Sequence, residues 1–241
     1  LTGKSVRTIT MGYAHSCAVA NGDLYCWGDN TNGRTGLNTT SGNANPTLVS
    51  GGTAGSPLGP NNMRPLVSNV SAGASHTCAV INSRISCWGQ NSNGRTGRTG
   101  VTSGDTLIPT AISNTYFATK VSAGDSHTCA LLHGNNSKTN GNMWCWGSAS
   151  DGRLGNNQSS GNYPTPVVIN GGDNNVSGNR SSGIAIATGA DSTCAVARGT
   201  IQCWGKGANG RLGTGNSVGV VVPNTTDNYE ALSPFTKGPI F

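Results

Sequence analysis

The sequence predicts an all-β fold of four stacked repeats, and three observations point to it. Glycine supplies 37 of 241 residues and only 10% of residues are charged, a composition typical of short strands with many turns. A second cysteine precedes every Cys-Trp-Gly triplet, and a Gly-Arg-x-Gly follows it. Repeats of this length are supersecondary units that bury a common core by stacking. The triplets recur at spacings of 61, 58 and 58 residues and begin at Cys26, Cys87, Cys145 and Cys203.

Each repeat carries a pair of cysteines on a predicted hairpin. A type I′ turn at Asn21-Gly22 brings Cys17 opposite Cys26 in a non-hydrogen-bonded pair, with Cα atoms about 4.5 Å apart. A disulfide spans roughly 4.4–6.8 Å. In the third repeat the cysteines are 16 positions apart, so residues 134–141 form a longer tip. The predicted disulfides are Cys17–Cys26, Cys78–Cys87, Cys129–Cys145 and Cys194–Cys203.

Buried free thiols and a metal site are the alternatives to disulfides. Cysteine metal sites favour closely spaced Cys-x-x-Cys sets, and the sequence has none. Three pairs that match a cross-strand geometry, and a fourth with a longer tip, therefore favour disulfides, which persist outside the reducing cytosol. We expect a secreted or cell-surface protein, and the absence of a long apolar run predicts no transmembrane segment.

The repeats resemble those of the regulator of chromosome condensation family. The family repeat starts with Gly-x-x-His, runs through a hairpin and a Trp-Gly, and ends in Asn-x-x-Gly-Gln-Leu-Gly. The resemblance covers the whole chain and implies a β-propeller of four-stranded blades, most often seven, with a protein-binding habit rather than one activity. The matching starts are Gly12 with His15, Gly73 with His76, and Gly124 with His127; the matching Trp-Gly pairs begin at Trp27, Trp88, Trp146 and Trp204.

The chain departs from that family pattern in three ways. Its cysteines exclude the nuclear and cytosolic members as functional models, arginine replaces the usual glutamine, and it has four copies. We expect one propeller domain over residues 1–241. Its repeat hairpins lie near 12–36, 73–97, 124–155 and 189–213.

Closure of four blades into a ring is the favoured arrangement. A proline-bearing strand follows each repeat, and the last, Val220–Pro223, has no hairpin after it. The first hairpin, in turn, has no proline strand before it. The sequence therefore predicts that residues 214–241 complete the first blade, although a fragment of a larger propeller fits the same pattern.

The recurring arginines are the candidate ligand-binding residues. A formal charge of +6 and four guanidinium groups at one blade position would attract carboxylates, phosphates or sulfates. The alternative, which we favour, is that each arginine bonds neighbouring backbone carbonyls. The four are Arg34, Arg95, Arg153 and Arg211.

Other functional classes find little support in the sequence. The repeated His15, His76 and His127 suggest a metal, but structural histidines at blade junctions are favoured. No catalytic motif or phosphate-cradling loop occurs, so we expect no enzyme activity, no metal and no cofactor. The charge excess lacks a dense Lys/Arg stretch, which disfavours nucleic acid as a partner.

The sequence as a whole favours a binding or adhesion propeller. Loops on a rigid scaffold usually carry binding residues, and we expect a protein or glycan partner. One alternative is a structural subunit of an extracellular filament, which would self-associate; another is a secreted enzyme inhibitor. The inter-repeat loops are Asn38–Arg64, Gly97–Asp105, Gly134–Gly141 and Gly155–Arg180.

Overall fold

The computed structural model describes residues 1–49, 66–112, 117–133, 142–169, 183–197 and 200–223. These residues form four antiparallel sheets, so the chain is all-β, as predicted. A 3₁₀ turn follows the third strand of each sheet, at Thr31–Gly33, Ser92–Gly94, Ser150–Gly152 and Ala208–Gly210. The strands are β1 (Val6–Met11), β2 (His15–Ala20), β3 (Asp23–Gly28), β4 (Asn43–Leu48), β5 (Val67–Ala72), β6 (His76–Ile81), β7 (Arg84–Gly89), β8 (Thr106–Ala111), β9 (Phe117–Ala123), β10 (His127–His133), β11 (Asn142–Ser148), β12 (Asn162–Val168), β13 (Gly183–Thr188), β14 (Ser192–Ala197) and β15 (Thr200–Gly205).

Each sheet is one propeller blade whose strands follow chain order. The first three blades are β1 to β4, β5 to β8 and β9 to β12, and the fourth contains β13 to β15. The central hairpins turn where the sequence predicts: Asn21 and Gly22 have φ of 52° and 82°, and Asn82 and Ser83 have 50° and 62°. Positive φ at both central residues is the geometry of a type I′ turn. The turn predicted at residues 198–199 and the tip at 134–141 lie outside the described residues.

All eight cysteines form disulfides within blades. Each pair lies directly opposite across the central hairpin, with Cα atoms 4.1 Å apart. The register aligns Ala18 with Tyr25 and Val19 with Leu24 beside the first pair, as follows from the predicted turn at Asn21-Gly22. The bonds are Cys17–Cys26, Cys78–Cys87, Cys129–Cys145 and Cys194–Cys203.

The core lies between blades. We call the side of a blade turned to the preceding blade its leading face, and the side turned to the next blade its trailing face. Between the first two blades, Val19 and Leu24 of the trailing face pack with Val70 and Trp88 of the leading face. Equivalent clusters join the second blade to the third and the third to the fourth. Burial of these apolar side chains is the main force that holds successive blades together.

The predicted closure by the C-terminal strand is wrong for the part of 214–241 that the structure describes. Val220 pairs with Gly205, where its N–H and carbonyl bond that glycine at 2.9 and 2.7 Å, so it lies in the fourth blade. The first blade already holds four strands of its own, because β1 precedes its hairpin and β4, which contains Pro46, follows it. Within the described ranges the sheets form an open arc and do not close into a ring.

The helices of the described residues are short 3₁₀ turns, and none is long and apolar enough to cross a membrane.

Candidate binding site

A single backbone carbonyl organises each blade junction. The carbonyl of Arg34 in the first blade accepts two hydrogen bonds from the second blade, one from Thr77 Oγ1 at 2.7 Å and one from Trp88 Nε1 at 3.0 Å. The carbonyls of Arg95 and Arg153 accept the same pair of bonds at the next two junctions. The geometry that repeats at these three junctions therefore depends on the backbone position of the arginine and on a Trp and a Thr of the following blade.

The repeated histidines also lie in the junctions. His15 Nε2 contacts Thr77 Oγ1 at 2.7 Å, and His76 and His127 contact Thr128 and Thr193 at 2.8 and 2.9 Å. Because each threonine hydroxyl donates to an arginine carbonyl, it must accept from an Nε2–H of the histidine. The Nδ1 atoms are buried without a hydrogen-bond partner, so these imidazoles are neutral.

Burial explains the protonation state of the histidines. Desolvation, and then the positive charge of Arg34, lowers the pKa of His15 to about 4. Desolvation and Arg153 lower the pKa of His127 to about 3, and the pKa of His76 is held well below its usual value by the same causes, burial first. No group of three or more His, Cys, Asp or Glu side chains in the described ranges is placed to hold a metal ion.

The arginine side chains clamp their own 3₁₀ turns. In all four repeats Nε donates to the carbonyl three residues earlier, at 2.8–2.9 Å. Arg95 Nη1 continues to the Asp125 carbonyl of the third blade at 2.8 Å, and Arg153 Nη1 pairs with Asp191 of the fourth blade at 2.8 Å. These are the contacts that the structural interpretation predicts.

Burial separates one arginine from the other three. Arg34, Arg95 and Arg153 are buried, whereas Arg211 is exposed. The three buried groups already bond the protein, so among the predicted anion-binding residues Arg211 is the one that presents its side chain to solvent. An anion-binding role of this set stays a prediction.

A cavity of about 380 Å³ lies between the second and third blades. Its apolar wall includes Ile85, Leu132 and Trp144. Thr99 and Thr165 also line it. Thr99 lies in the predicted loop Gly97–Asp105, whereas Thr165, within the predicted loop Gly155–Arg180, lies on strand β12. Ligand pockets usually have volumes of about 300–1,000 Å³ and combine apolar walls with a few polar groups. The cavity therefore has the size and composition of a small-ligand subsite.

Three junction threonines and one buried asparagine also have structural roles that the motifs alone do not indicate. Thr77, Thr128 and Thr193 follow the repeated His or Ser directly, and that position in the repeat was the available signal. Asn91 is fully buried and holds the loop after the 3₁₀ turn, because its Oδ1 accepts from Thr96 N at 3.1 Å and its Nδ2 donates to the Val101 carbonyl at 3.0 Å.

Comparison with known proteins agrees with this geometry. The profile of the regulator of chromosome condensation (RCC1) repeat matches residues 21–80, 84–131 and 140–196, and a second profile of the repeat matches residues 6–34. The chain belongs to the RCC1 repeat family. The repeated Gly-x-x-His and Trp-Gly stretches of this family are the residues that build the junctions described above.

Curated relatives are longer proteins. The chain is 32% identical over 168 residues to the Ultraviolet-B receptor UVR8 of Arabidopsis thaliana, which covers 68% of the chain and 35% of the receptor. It is 26% identical over 239 residues to the probable E3 ubiquitin-protein ligase HERC3 of Homo sapiens, which covers 96% of the chain and 20% of the ligase. The chain thus spans about a third or less of the length of these relatives.

Solved RCC1-type structures share the fold. Human WBSCR16 superposes with a TM-score of 0.72 at 20% identity, over 93% of this chain and 54% of that one. Yeast RCC1 (Prp20), solved bound to Kap60, superposes with a TM-score of 0.71 at 18% identity, over 94% of this chain and 50% of that one. Both superpositions confirm the propeller-type fold, and the four blades match about half of each structure.

Proposed function

We propose that this chain is an extracellular binding module that recognises a protein or a glycan through its inter-repeat loops. The observation that carries the proposal is the cavity between the second and third blades. Thr99, in the loop between β7 and β8, and Thr165, on β12, line it, and the third blade supplies Trp144 to its wall. The blades behind the cavity are stapled by disulfides, which hold its walls in place.

The chemistry of the cavity suits a small determinant on a larger ligand. An indole offers a flat apolar surface with an electron-rich face, and threonine hydroxyls both donate and accept hydrogen bonds. A sugar ring combines an apolar C–H face with hydroxyl groups, so it matches this pairing. A peptide side chain inserted from a protein partner would use the same indole and hydroxyl groups.

The disulfides support an extracellular location. Four intra-blade disulfides formed from all eight cysteines are typical of proteins that fold and work outside the reducing cytosol. The structural relative yeast RCC1 is solved bound to Kap60, so that protein has a protein partner. We infer a binding role rather than an enzymatic one for the repeats of this chain.

Substitution of Trp144 tests the proposal. Trp144→Ser copies Ser86, the residue at this place in the second blade, and Tyr25→Ser is the matched control in the first blade, away from the cavity. We would screen the folded chain against arrays of neutral and acidic oligosaccharides and of peptides. Binding that falls at least tenfold in Trp144→Ser and persists in Tyr25→Ser supports the proposal. No binding on either array, or equal loss in both variants, argues against it.

A second candidate is a self-associating structural subunit. The observation that favours it is the exposed apolar surface at both ends of the arc, where Ile9, Met11 and Ile201 face solvent. An open polymer of the purified chain, seen by electron microscopy, would move this candidate to first place.

A further inference from the structure

The leading face of the first blade is an apolar sheet surface that no other blade of the described residues covers. Val6, Ile9 and Met11 are 50%, 65% and 75% exposed. Trp27 is half-buried, although the equivalent tryptophans of the other blades are fully buried. At the same positions, the second and third blades bury Val67, Val70 and Ala72, and Ala118, Val121 and Ala123.

The trailing face of the fourth blade is open in the complementary way. Ile201 is 67% exposed, whereas its counterparts Leu24, Ile85 and Met143 are at most 4% exposed. A Cβ on Gly36 would lie 2.7 Å from Trp88 Nε1 of the next blade, but a Cβ on Gly213 would meet nothing within 4 Å. The fourth blade thus offers the surface on which each earlier blade receives its neighbour's tryptophan.

We propose that the trailing face of the fourth blade docks on the leading face of the first blade of a second copy of this chain, so that two copies complete one ring. The chain superposes on about half of the WBSCR16 and yeast RCC1 chains, 54% and 50%. Two half rings related by a two-fold axis place each trailing face on the partner's leading face at two identical junctions.

Side-chain volumes at the two open faces favour this pairing over a repeat of the internal junction. Internally, a histidine contacts a threonine, and a small residue such as Ala72 lies opposite that threonine in the sheet. At the open faces Ser192 takes the histidine position and Ser16 the threonine position. Met11, paired with Ser16, replaces the small residue.

These replacements leave the total side-chain volume at the junction nearly unchanged. The fourth blade loses the volume of an imidazole, and the first blade gains that of a methionine side chain on the facing surface. Cores tolerate substitutions that keep their total volume. Both members of the His–Thr pair change together, which is expected if Ser192 and Ser16 belong to one junction.

The internal junctions also specify the polar contacts of the new one. The carbonyl of Arg211 takes the place of the Arg34 carbonyl, so Trp27 Nε1 and Ser16 Oγ of the partner copy donate to it. These two donors compensate for removal of the carbonyl and the indole N–H from water. The apolar surface around them supplies the driving force for docking.

The oligomeric state of the purified 241-residue chain is the first test. Sedimentation equilibrium should give a mass twice the 24.4 kDa of one chain. Met11→Asp places a charge on the leading face, where the side chain is exposed in the single chain, so folding should be unaffected. We expect the dimer to dissociate at least tenfold more readily. The matched control is Leu48→Asp, 48% exposed on the outer strand β4 of the same face. Its counterparts Ala111 and Val168 stay exposed at the internal junctions, so this change should leave the dimer intact.

A cross-link locates the junction and separates the possible closures. Because all native cysteines are in disulfides, Ser16→Cys with Ser192→Cys adds the only free thiols, and a short bismaleimide can join them. Links between two copies, giving a covalent dimer, support the proposal. A link within one chain, a monomer at micromolar concentration, an open polymer, or a dimer that Met11→Asp leaves intact would each overturn it.

Discussion

Arg95 and Arg211 occupy the same position in the second and fourth repeats, yet their surroundings are opposite. Arg95 is buried, and its guanidinium reaches the carbonyl of Asp125 in the next blade. Both arginines donate from Nε to a carbonyl of their own 3₁₀ turn, but the side chain of Arg211 is exposed. The comparison teaches that local sequence fixes the clamp on the turn, whereas the role of the rest of the side chain depends on whether another blade follows.

The largest expected difference between internal and open surfaces concerns the tryptophans. Trp146→Ala should lower the free energy of unfolding by about 3–5 kcal/mol, because it empties a fully buried site between blades. Trp27→Ala, half-buried on the open face, should cost less than half as much. Denaturant titrations in the Met11→Asp background give both values free of any contribution from association. Equal losses would show that the open face is covered within the chain.

Acid should destabilise the three internal junctions, which contain a buried histidine, more than the open face of the fourth blade, where Ser192 takes the histidine position. The unfolded state binds protons at its histidines below about pH 6.5, but folded His15 binds one only near pH 4. The stability that depends on these histidines is therefore fully present above pH 6.5 and falls as the pH decreases toward 4, by at most about 1.4 kcal/mol per pH unit for each histidine.

Thermal melts at pH 7 and pH 4.5 check this pH dependence. His127→Ser, which copies the residue of the fourth blade, should melt at a lower temperature at pH 7 and show a smaller drop on acidification than the parent chain. A drop as large as the parent's would mean that His127 does not titrate with unfolding.

The smallest effect in the comparison is that of Arg→Lys. Arg95→Lys should cost about 1–3 kcal/mol, since lysine cannot bond both its own turn and the Asp125 carbonyl in a planar fork. Arg211→Lys should stay within about 0.5 kcal/mol of the parent, as is usual for exposed sites. Unfolding midpoints equal to that of the parent chain for both variants would move anion binding to first place for these arginines.

The fold was largely predictable because its determinants are local and repeated. The Asn21-Gly22 turn sets the hairpin register, and the register alone brings Cys17 opposite Cys26. The assignment of strands to blades was harder to predict from the sequence. In a circular repeat the sequence does not show at which strand a blade begins. The prediction therefore assigns Val220 to the first blade, whereas its backbone pairs with Gly205 in the fourth.

The candidate site was harder to predict than the fold. Trp144 stands out in the sequence as the one tryptophan outside a Trp-Gly pair. The cavity beside it depends on Thr99 and Thr165, which are far apart in the chain and meet only when two blades pack. The arginines carried the opposite difficulty: their repetition is visible in the sequence, but whether each one is covered depends on the neighbouring blade.

The placement of the disulfides has a mechanical consequence. Every disulfide closes a hairpin inside one blade, and no disulfide joins two blades. Under a pulling force the blades should therefore separate from one another before any hairpin opens. Each nine-residue loop would withhold roughly 30 Å of chain from extension, and the 16-residue loop of the third blade roughly 55 Å. In a stretched molecule each disulfide-closed hairpin would stay unextended, and reduction of its disulfide would release the withheld length one blade at a time.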